Sequence, residues 1–137
     1  MPALSRWLLR VSFFALVIGG ALGAWLLASE PWPSAWVVRL RAAHIHLMLF
    51  GWLMPFVLGT AYWMLPKHAE GPARGSAGLG AAAGGLVTGG VVLGVVGALA
   101  GWEWLQRVGT LGVIGGGAVF ISLLWPRIKA FGAGRAS

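Results

Sequence analysis

Four long stretches of apolar residues, separated by short breaks, decide what this chain can fold into. A helix needs about 20 consecutive apolar residues to cross the roughly 30 Å hydrocarbon core of a bilayer. Hydrophobic residues make up 58% of the 137-residue sequence, and charged residues make up only 9%. Soluble domains carry about 25% charged residues, so this composition indicates a membrane protein. The predicted spans cover residues 7–28, 40–65, 77–100 and 108–125.

The connectors between these spans are short and contain residues that end helices. They read SEPWPSAW, PKHAEGPARGS and GWEWLQR, so each carries proline, glycine or charge. Short connectors place successive helices side by side with opposite directions. We therefore predict an all-α membrane protein in which residues 1–137 form a single domain, an antiparallel bundle of four transmembrane helices. The first span is too long for the apolar region of a signal peptide, so we expect it to be retained.

The basic residues predict how the bundle is oriented. Cytoplasmic connectors of membrane proteins are enriched in Lys and Arg. With both termini inside, seven basic residues fall on the inner side and three on the outer side. The inner residues are Arg6, Arg10, Lys67, Arg74, Arg127, Lys129 and Arg135, and the outer ones are Arg39, Arg41 and Arg107. We predict a multi-pass protein of the inner (cytoplasmic) membrane with N-in/C-in topology. Because the basic residues cluster at span ends, we expect no nucleic acid to bind.

The third and fourth spans are rich in glycine pairs four residues apart. In lipid, small residues at this spacing let two helix backbones approach closely. Such pairs indicate either a homodimer interface or tight packing within one chain, and the two uses are compatible. The pairs are Gly80/Gly84, Gly85/Gly89, Gly90/Gly94, Gly97/Gly101 and Gly112/Gly116.

The second span carries His44 and His46 in an otherwise apolar run. Successive residues of a helix are rotated by about 100°, so the two side chains point about 200° apart. They cannot bind one metal ion from a regular helix, and they must have different roles. An ionisable group inside a membrane span is a functional hypothesis by default. The alternative for either residue is a neutral ring that is hydrogen-bonded to a neighbouring helix.

The face that carries His44 also carries Met48, Gly51 and Gly59. Two glycines on one face leave room for a flat ligand, and a methionine sulfur is a soft metal ligand, although methionine in a span usually serves packing. Arg41 lies on the His44 face and Arg39 on the His46 face, both nearer the outer membrane surface. Arginines there are suited to bind carboxylates, or else to anchor the helix at lipid headgroups.

The segment AHIHLMLFGWLMPFVLG resembles the second transmembrane helix of the catalytic subunit of haem–copper oxidases and of their nitric oxide reductase relatives. The shared positions are Ala43, His44, Met48, Phe50, Met54, Pro55 and Gly59. The resemblance implies that His44 is the axial ligand of a low-spin haem near the outer surface, here haem b. His46 stands where the oxidases usually have an apolar or small polar residue, so it is only a possible metal ligand. Arg39, Arg41, Met48 and Gly51 are then the further candidate cofactor-binding residues.

The chain lacks the later family helices that carry the opposite haem ligand and the histidines of the binuclear centre. Its third histidine, His68, lies in an inner connector. We therefore do not expect a stand-alone oxidase and predict no catalytic residue. Cysteine is absent, which excludes covalently attached c-type haem. A second axial ligand would come from a homodimer; otherwise the haem would be five-coordinate.

The sequence thus favours a b-type haem protein in the membrane that transfers electrons or binds a diatomic gas such as NO or O2. Its setting would be a respiratory or denitrification chain, with a respiratory or nitric oxide reductase complex as partner. The alternative is a cofactor-free accessory or assembly subunit of a respiratory complex. A small transporter is disfavoured, because Glu30, Glu70 and Glu103 all lie in connectors and none is inside the membrane for proton coupling.

Overall fold

A computed structural model describes residues 1–29, 34–67 and 74–128 of the chain. All regular structure in these ranges is helical, and four helices are long and apolar enough to cross a membrane, as the sequence predicts. The four are Ala3–Ala28, Ala35–Met64, Ala77–Ala100 and Glu103–Arg127. Five residues named in the predictions lie outside the described residues: Glu30, His68, Glu70, Lys129 and Arg135.

The second span is built from three pieces. They are α2 (Ala35–His46), a π-helical segment (Leu47–Leu53) and α3 (Met54–Met64). The other spans are α1 (Ala3–Ala28), α4 (Ala77–Ala100) and α5 (Glu103–Leu124), the last followed by a 3-10 turn (Trp125–Arg127).

The residues at the helix ends explain where the helices start and stop. Ser34 and Ser76 precede α2 and α4, and the hydroxyl of each accepts a hydrogen bond from the backbone N–H three residues on, as N-cap residues do. Gly101 ends α4 with a φ of 74°, in the left-handed region that glycine adopts without a steric penalty. The turn to α5 is therefore short, and the two helices run antiparallel.

The π-helical segment was not expected from the sequence. Its hydrogen bonds reach back five residues, as in the bond from the Met54 N–H to the Leu49 carbonyl. The next residue is Pro55, which has no N–H and whose ring crowds the carbonyl four residues earlier. We attribute the widened turns before Pro55 to this crowding. The segment changes the side-chain register between the two histidines and the inner half of the span.

Helices α4 and α5 contact each other through backbone atoms. A Cβ at Gly90 would lie 2.6 Å from the Gly109 carbonyl oxygen, and one at Gly116 would lie 2.8 Å from the Ala83 carbonyl oxygen. A Cβ at Gly97 would overlap the Gln106 amide nitrogen. Glycine on both helices is thus required for this approach. We call these contacts the α4–α5 glycine interface.

Glycines of α4 fall into three groups by what they face. Gly90, Gly94 and Gly97 face α5 or α2, while Gly80 and Gly84 face Leu4, Trp7 and Leu8 of α1. A Cβ at Gly85 or Gly89 would meet nothing within 4 Å. Packing within the chain therefore accounts for most of the predicted glycine pairs, and it leaves the Gly85/Gly89 pair unused.

Helix α1 packs antiparallel along the second span. A Cβ at Gly59 would lie 3.1 Å from the Leu8 Cβ, and one at Gly51 would lie 3.1 Å from the Ala15 Cβ. The expectation that both glycines leave room for a flat ligand is wrong in this respect, because α1 occupies the space beside them.

Arg127 is the largest fully buried side chain of the described residues, with 1% of its surface exposed. Its guanidinium donates to the carbonyl oxygens of Tyr62 (2.9 Å), Leu65 (2.8 Å) and Pro66 (2.9 Å), and it lies 5.3 Å from the centre of the Tyr62 ring. These carbonyls are left unpaired where α3 ends, and the negative end of the helix dipole favours a cation there. Arg127 therefore joins the end of α5 to the end of the second span.

The α4–α5 glycine interface can be tested with a matched pair of substitutions in α5. Gly109→Ala places a methyl group against the backbone of Gly90 and Gly94, which cannot move aside as a side chain could. We expect a loss of about 1–3 kcal/mol, typical of overpacking. Gly115 has no atom within 4 Å of its Cβ position, so Gly115→Ala is the control and should be neutral or stabilising. Thermal unfolding in detergent measures both, and equal melting temperatures would contradict the interface.

Candidate functional site

His44 lies between the second span and α1, and its side chain is half-buried. Its Nδ1 is 2.8 Å from the backbone carbonyl oxygen of Gly19. A carbonyl only accepts hydrogen bonds, so Nδ1 carries the proton and Nε2 carries the free lone pair. None of the described residues forms a hydrogen bond with Nε2. The hydrogen bond thus fixes both the tautomer and the orientation of the ring.

The ring fits against α1 because residue 23 is glycine. A Cβ at Gly23 would lie 2.5 Å from Cε1 of His44 and 3.1 Å from Nδ1. One turn earlier, a Cβ at Gly19 would lie 2.8 Å from the Met48 sulfur. Gly19 and Gly23 therefore form a cradle on α1 for His44 and Met48. We call this cradle, together with the imidazole of His44, the His44 site.

His46 points in the other direction, as the helical projection predicts. Its side chain is 4% exposed and lies against α4, where a Cβ at Gly94 would overlap the ring. The ring of Phe50 packs edge-on at a centroid distance of 4.9 Å. The Nε2 atom is buried and has no hydrogen-bond partner. A metal ion could reach this nitrogen only if α4 moved away.

The two arginines of the predicted site also separate. Arg39 reaches the turn between α4 and α5, where a Cβ at Gly101 would lie 2.7 Å from its Nη2. Arg41 is exposed and stands one turn from His44 on the same helix. Only Arg41 therefore belongs to the surroundings of His44. The carbonyls at the end of α4 favour the cation that Arg39 places beside them.

The remaining two candidates lie deeper in the second span. Met48 is half-buried beside Gly19, and Gly51 is buried between Ala15 and Val91. Both line the face that packs on α1. Met48 lies one turn from His44 along the same helix.

The site lacks a cluster of metal ligands. Within residues 1–29, 34–67 and 74–128, no three His, Cys, Asp or Glu side chains come together in a group that could hold a metal ion. The site instead offers one imidazole ring, oriented by a backbone carbonyl, between two membrane-spanning helices.

Sequence reasoning missed the contribution of α1. It treated the first span only as a membrane helix, although Gly19 and Gly23 supply the hydrogen-bond acceptor and the space for His44. The segment GGALGA was the available signal, since small residues four apart indicate a close contact. The spacing by itself does not say which side chain makes that contact.

The helical spans define a multi-pass membrane protein, and an oriented imidazole lies between two of them. Residues 3–128 match the family described as Cytochrome C and Quinol oxidase polypeptide I, which is subunit I of the haem–copper oxidases. The match covers most of the chain, and the protein belongs to this family, as the resemblance in the second span implied. None of the curated proteins and none of the solved structures matches this chain.

The contact between His46 and Gly94 can be tested by a double-mutant cycle. Gly94→Ala forces the ring out of its place and should destabilise the protein by about 1–3 kcal/mol. His46→Ala leaves a cavity but also removes the ring with which the new methyl group clashes. The double variant should therefore lose less stability than the sum of the losses in the two single variants. Thermal unfolding in detergent measures the stability of each variant and so gives the coupling free energy between His46 and Gly94. Strictly additive losses would show that the ring does not lie on Gly94.

Proposed function

We propose that this protein binds a b-type haem non-covalently within the membrane and that His44 Nε2 is the axial ligand. The observation that carries the proposal is the hydrogen bond from His44 Nδ1 to the Gly19 carbonyl, at 2.8 Å. Histidines that bind metals commonly donate their other ring N–H to a carbonyl or carboxylate, which orients the ring and raises its basicity. His44 has this arrangement, and no described residue is bonded to its Nε2.

The residues beside His44 suit a flat, apolar group. Gly20 and Ala24, one turn apart on the exposed side of α1, bring little side-chain bulk next to the cradle. A Cβ at Gly20 would meet nothing within 4 Å. We therefore place the proposed porphyrin here, on the outer half of α1, and not beside Gly51 and Gly59. The bilayer on the open side would keep water away from the ring.

Arg41 is the proposed partner of the haem propionates. Its guanidinium is exposed and stands one turn from His44 toward the end of the span. Arginine binds carboxylates through two parallel hydrogen bonds, so it suits a propionate at the membrane surface. Arg39 is assigned to the α4–α5 turn, and His46 is assigned to helix packing. We also propose that the His44 end of the bundle faces outward from an inner membrane.

When bound, the haem would supply a one-electron redox centre or a site for a diatomic gas. The chain's own part is to hold the iron through His44, to orient that ring through Gly19, and to exclude water with apolar helix faces. Burial and axial ligation are the main means by which a protein sets a haem potential. With these parts, the role that we propose is electron transfer or gas binding in a respiratory or denitrification chain.

A second copy of the chain is the proposed source of the second axial ligand. Helices α4 and α5 contain no histidine or methionine, and His46 is closed off by Gly94. Two chains related by a two-fold axis would each present His44 to one haem, which closes the site symmetrically. In a single chain the haem would be five-coordinate, with an open position for NO, O2 or CO.

One set of observations favours the second candidate, a cofactor-free accessory subunit of a respiratory complex. His46 packs on α4, His44 already has a backbone partner, and Gly51 and Gly59 serve the contact with α1. In this reading every residue of the motif serves packing between helices. The purified protein would then be colourless under all conditions of expression.

His44→Ala tests the haem proposal directly. We expect the variant to lose its haem, because no other described nitrogen at this site is accessible to iron. The measurement is the haem content of detergent-purified protein, from the reduced optical spectrum. His46→Ala should retain haem, because that ring does not reach the site. Full haem content in His44→Ala would refute the assignment.

Gly23→Ala tests how the ring is positioned, with the iron ligand itself left in place. The added methyl group meets His44 Cε1, so the ring must turn away from Gly19. We expect weaker haem retention and altered absorption bands of the haem that remains. Gly89→Ala is the matched control, since its Cβ meets no atom within 4 Å. A spectrum that responds equally to both substitutions would argue against the cradle.

The ratio of haem to protein tests the symmetric dimer. Two chains that share one haem give one haem per two polypeptides, a six-coordinate low-spin spectrum and no change on adding CO. Native mass spectrometry together with haem quantification measures the ratio. One haem per chain with a clear CO response would instead establish the five-coordinate form.

A further inference from the structure

A second groove lies between α1 and α4, away from the His44 site. It encloses 370 Å³, and its walls are formed by residues of both helices, including Phe14, Ile18 and Val92. Leu47 and Gly51 of the π-helical segment form its floor. We call this feature the α1–α4 groove.

The interior of the groove offers no free hydrogen-bonding group among the described side chains. Its lining contains two polar residues, Thr88 and Arg10. The Thr88 hydroxyl donates to the Gly84 carbonyl within α4, which satisfies it internally. The interior of the groove therefore suits an apolar occupant, such as a hydrocarbon chain.

Arg10 places a positive charge at one end of the groove. The stretch 11–28 that follows it in α1 contains no charged residue and has a length of about 27 Å at 1.5 Å per residue, close to the thickness of a bilayer core. Arg10 therefore stands at the level where hydrocarbon gives way to lipid headgroups. Its side chain is exposed, and no described residue forms an ion pair with it.

We propose that the α1–α4 groove holds one acyl chain of an anionic phospholipid whose phosphate pairs with Arg10. Charge complementarity favours this occupant over a second copy of the chain. The one described acidic residue is Glu103, which pairs with Arg107 at 2.9 Å and lies at the opposite end of the bundle. Glu103 of a second copy is thus already paired with Arg107, whereas every anionic phospholipid carries a phosphate at this height.

The proposal is tested by lipid competition on the full-length protein. Phosphatidylglycerol and phosphatidylcholine with identical acyl chains are mixed in equal amounts, and native mass spectrometry measures which lipid stays bound. We expect about a five-fold preference for phosphatidylglycerol, the effect of one basic residue near a membrane surface. Arg10→Gln should abolish the preference, and Arg10→Lys should keep it.

Two further variants separate this groove from general lipid binding. Arg6→Gln removes a charge one turn away that does not line the groove, so the preference should persist. Thr88→Phe fills the groove and should remove the bound lipid, while Val96→Phe on the same helix, outside the groove, should not. The proposal is overturned if Arg10→Gln leaves the preference intact or if Thr88→Phe leaves the bound lipid in place. These results do not depend on whether haem binds at His44.

Discussion

The close approach of helix backbones at glycine is the contact on which the rest of this structure depends. Helices in a bilayer gain little from hiding apolar side chains from one another, because lipid is equally apolar. They associate where backbones can come near enough for dense packing. At the α4–α5 glycine interface, backbone atoms of Gly90 and Gly109 meet with no side chain between them. The two helices therefore form a tightly packed pair, and the second span packs against this pair.

Close contacts with glycine also position both histidines. Gly94 on α4 receives the ring of His46, and Gly23 on α1 receives the ring of His44. One ring is closed off and the other retains an accessible nitrogen, although the two glycine contacts are alike. The difference lies in the neighbours, since Phe50 also packs against His46, whereas the His44 ring is only half-buried. The second span thus carries one buried histidine and one half-buried histidine.

Much of the architecture could be predicted from the pattern of apolar runs, because length and hydropathy suffice to identify spans. The pattern does not predict which face of each helix meets which neighbouring helix. Gly85/Gly89 and Gly90/Gly94 have the same spacing, yet only the second pair faces neighbouring helices, which depends on how three helices meet. Arg127 was expected as one of the inner charges, and its burial under three carbonyls depends on where α3 ends. Pro55 accounts for the π-helical segment, but the sequence alone does not show whether the helix widens or kinks before this proline.

The proposed function depends on the single ring nitrogen that His44 offers, because the hydrogen bond to the Gly19 carbonyl orients that ring. If haem binds there as proposed, the ligand on the opposite side of the iron would decide the role. A second histidine from another copy would close the iron and favour electron transfer. An open position would favour binding of a gas, so under this proposal the way in which two copies associate would decide between the two roles.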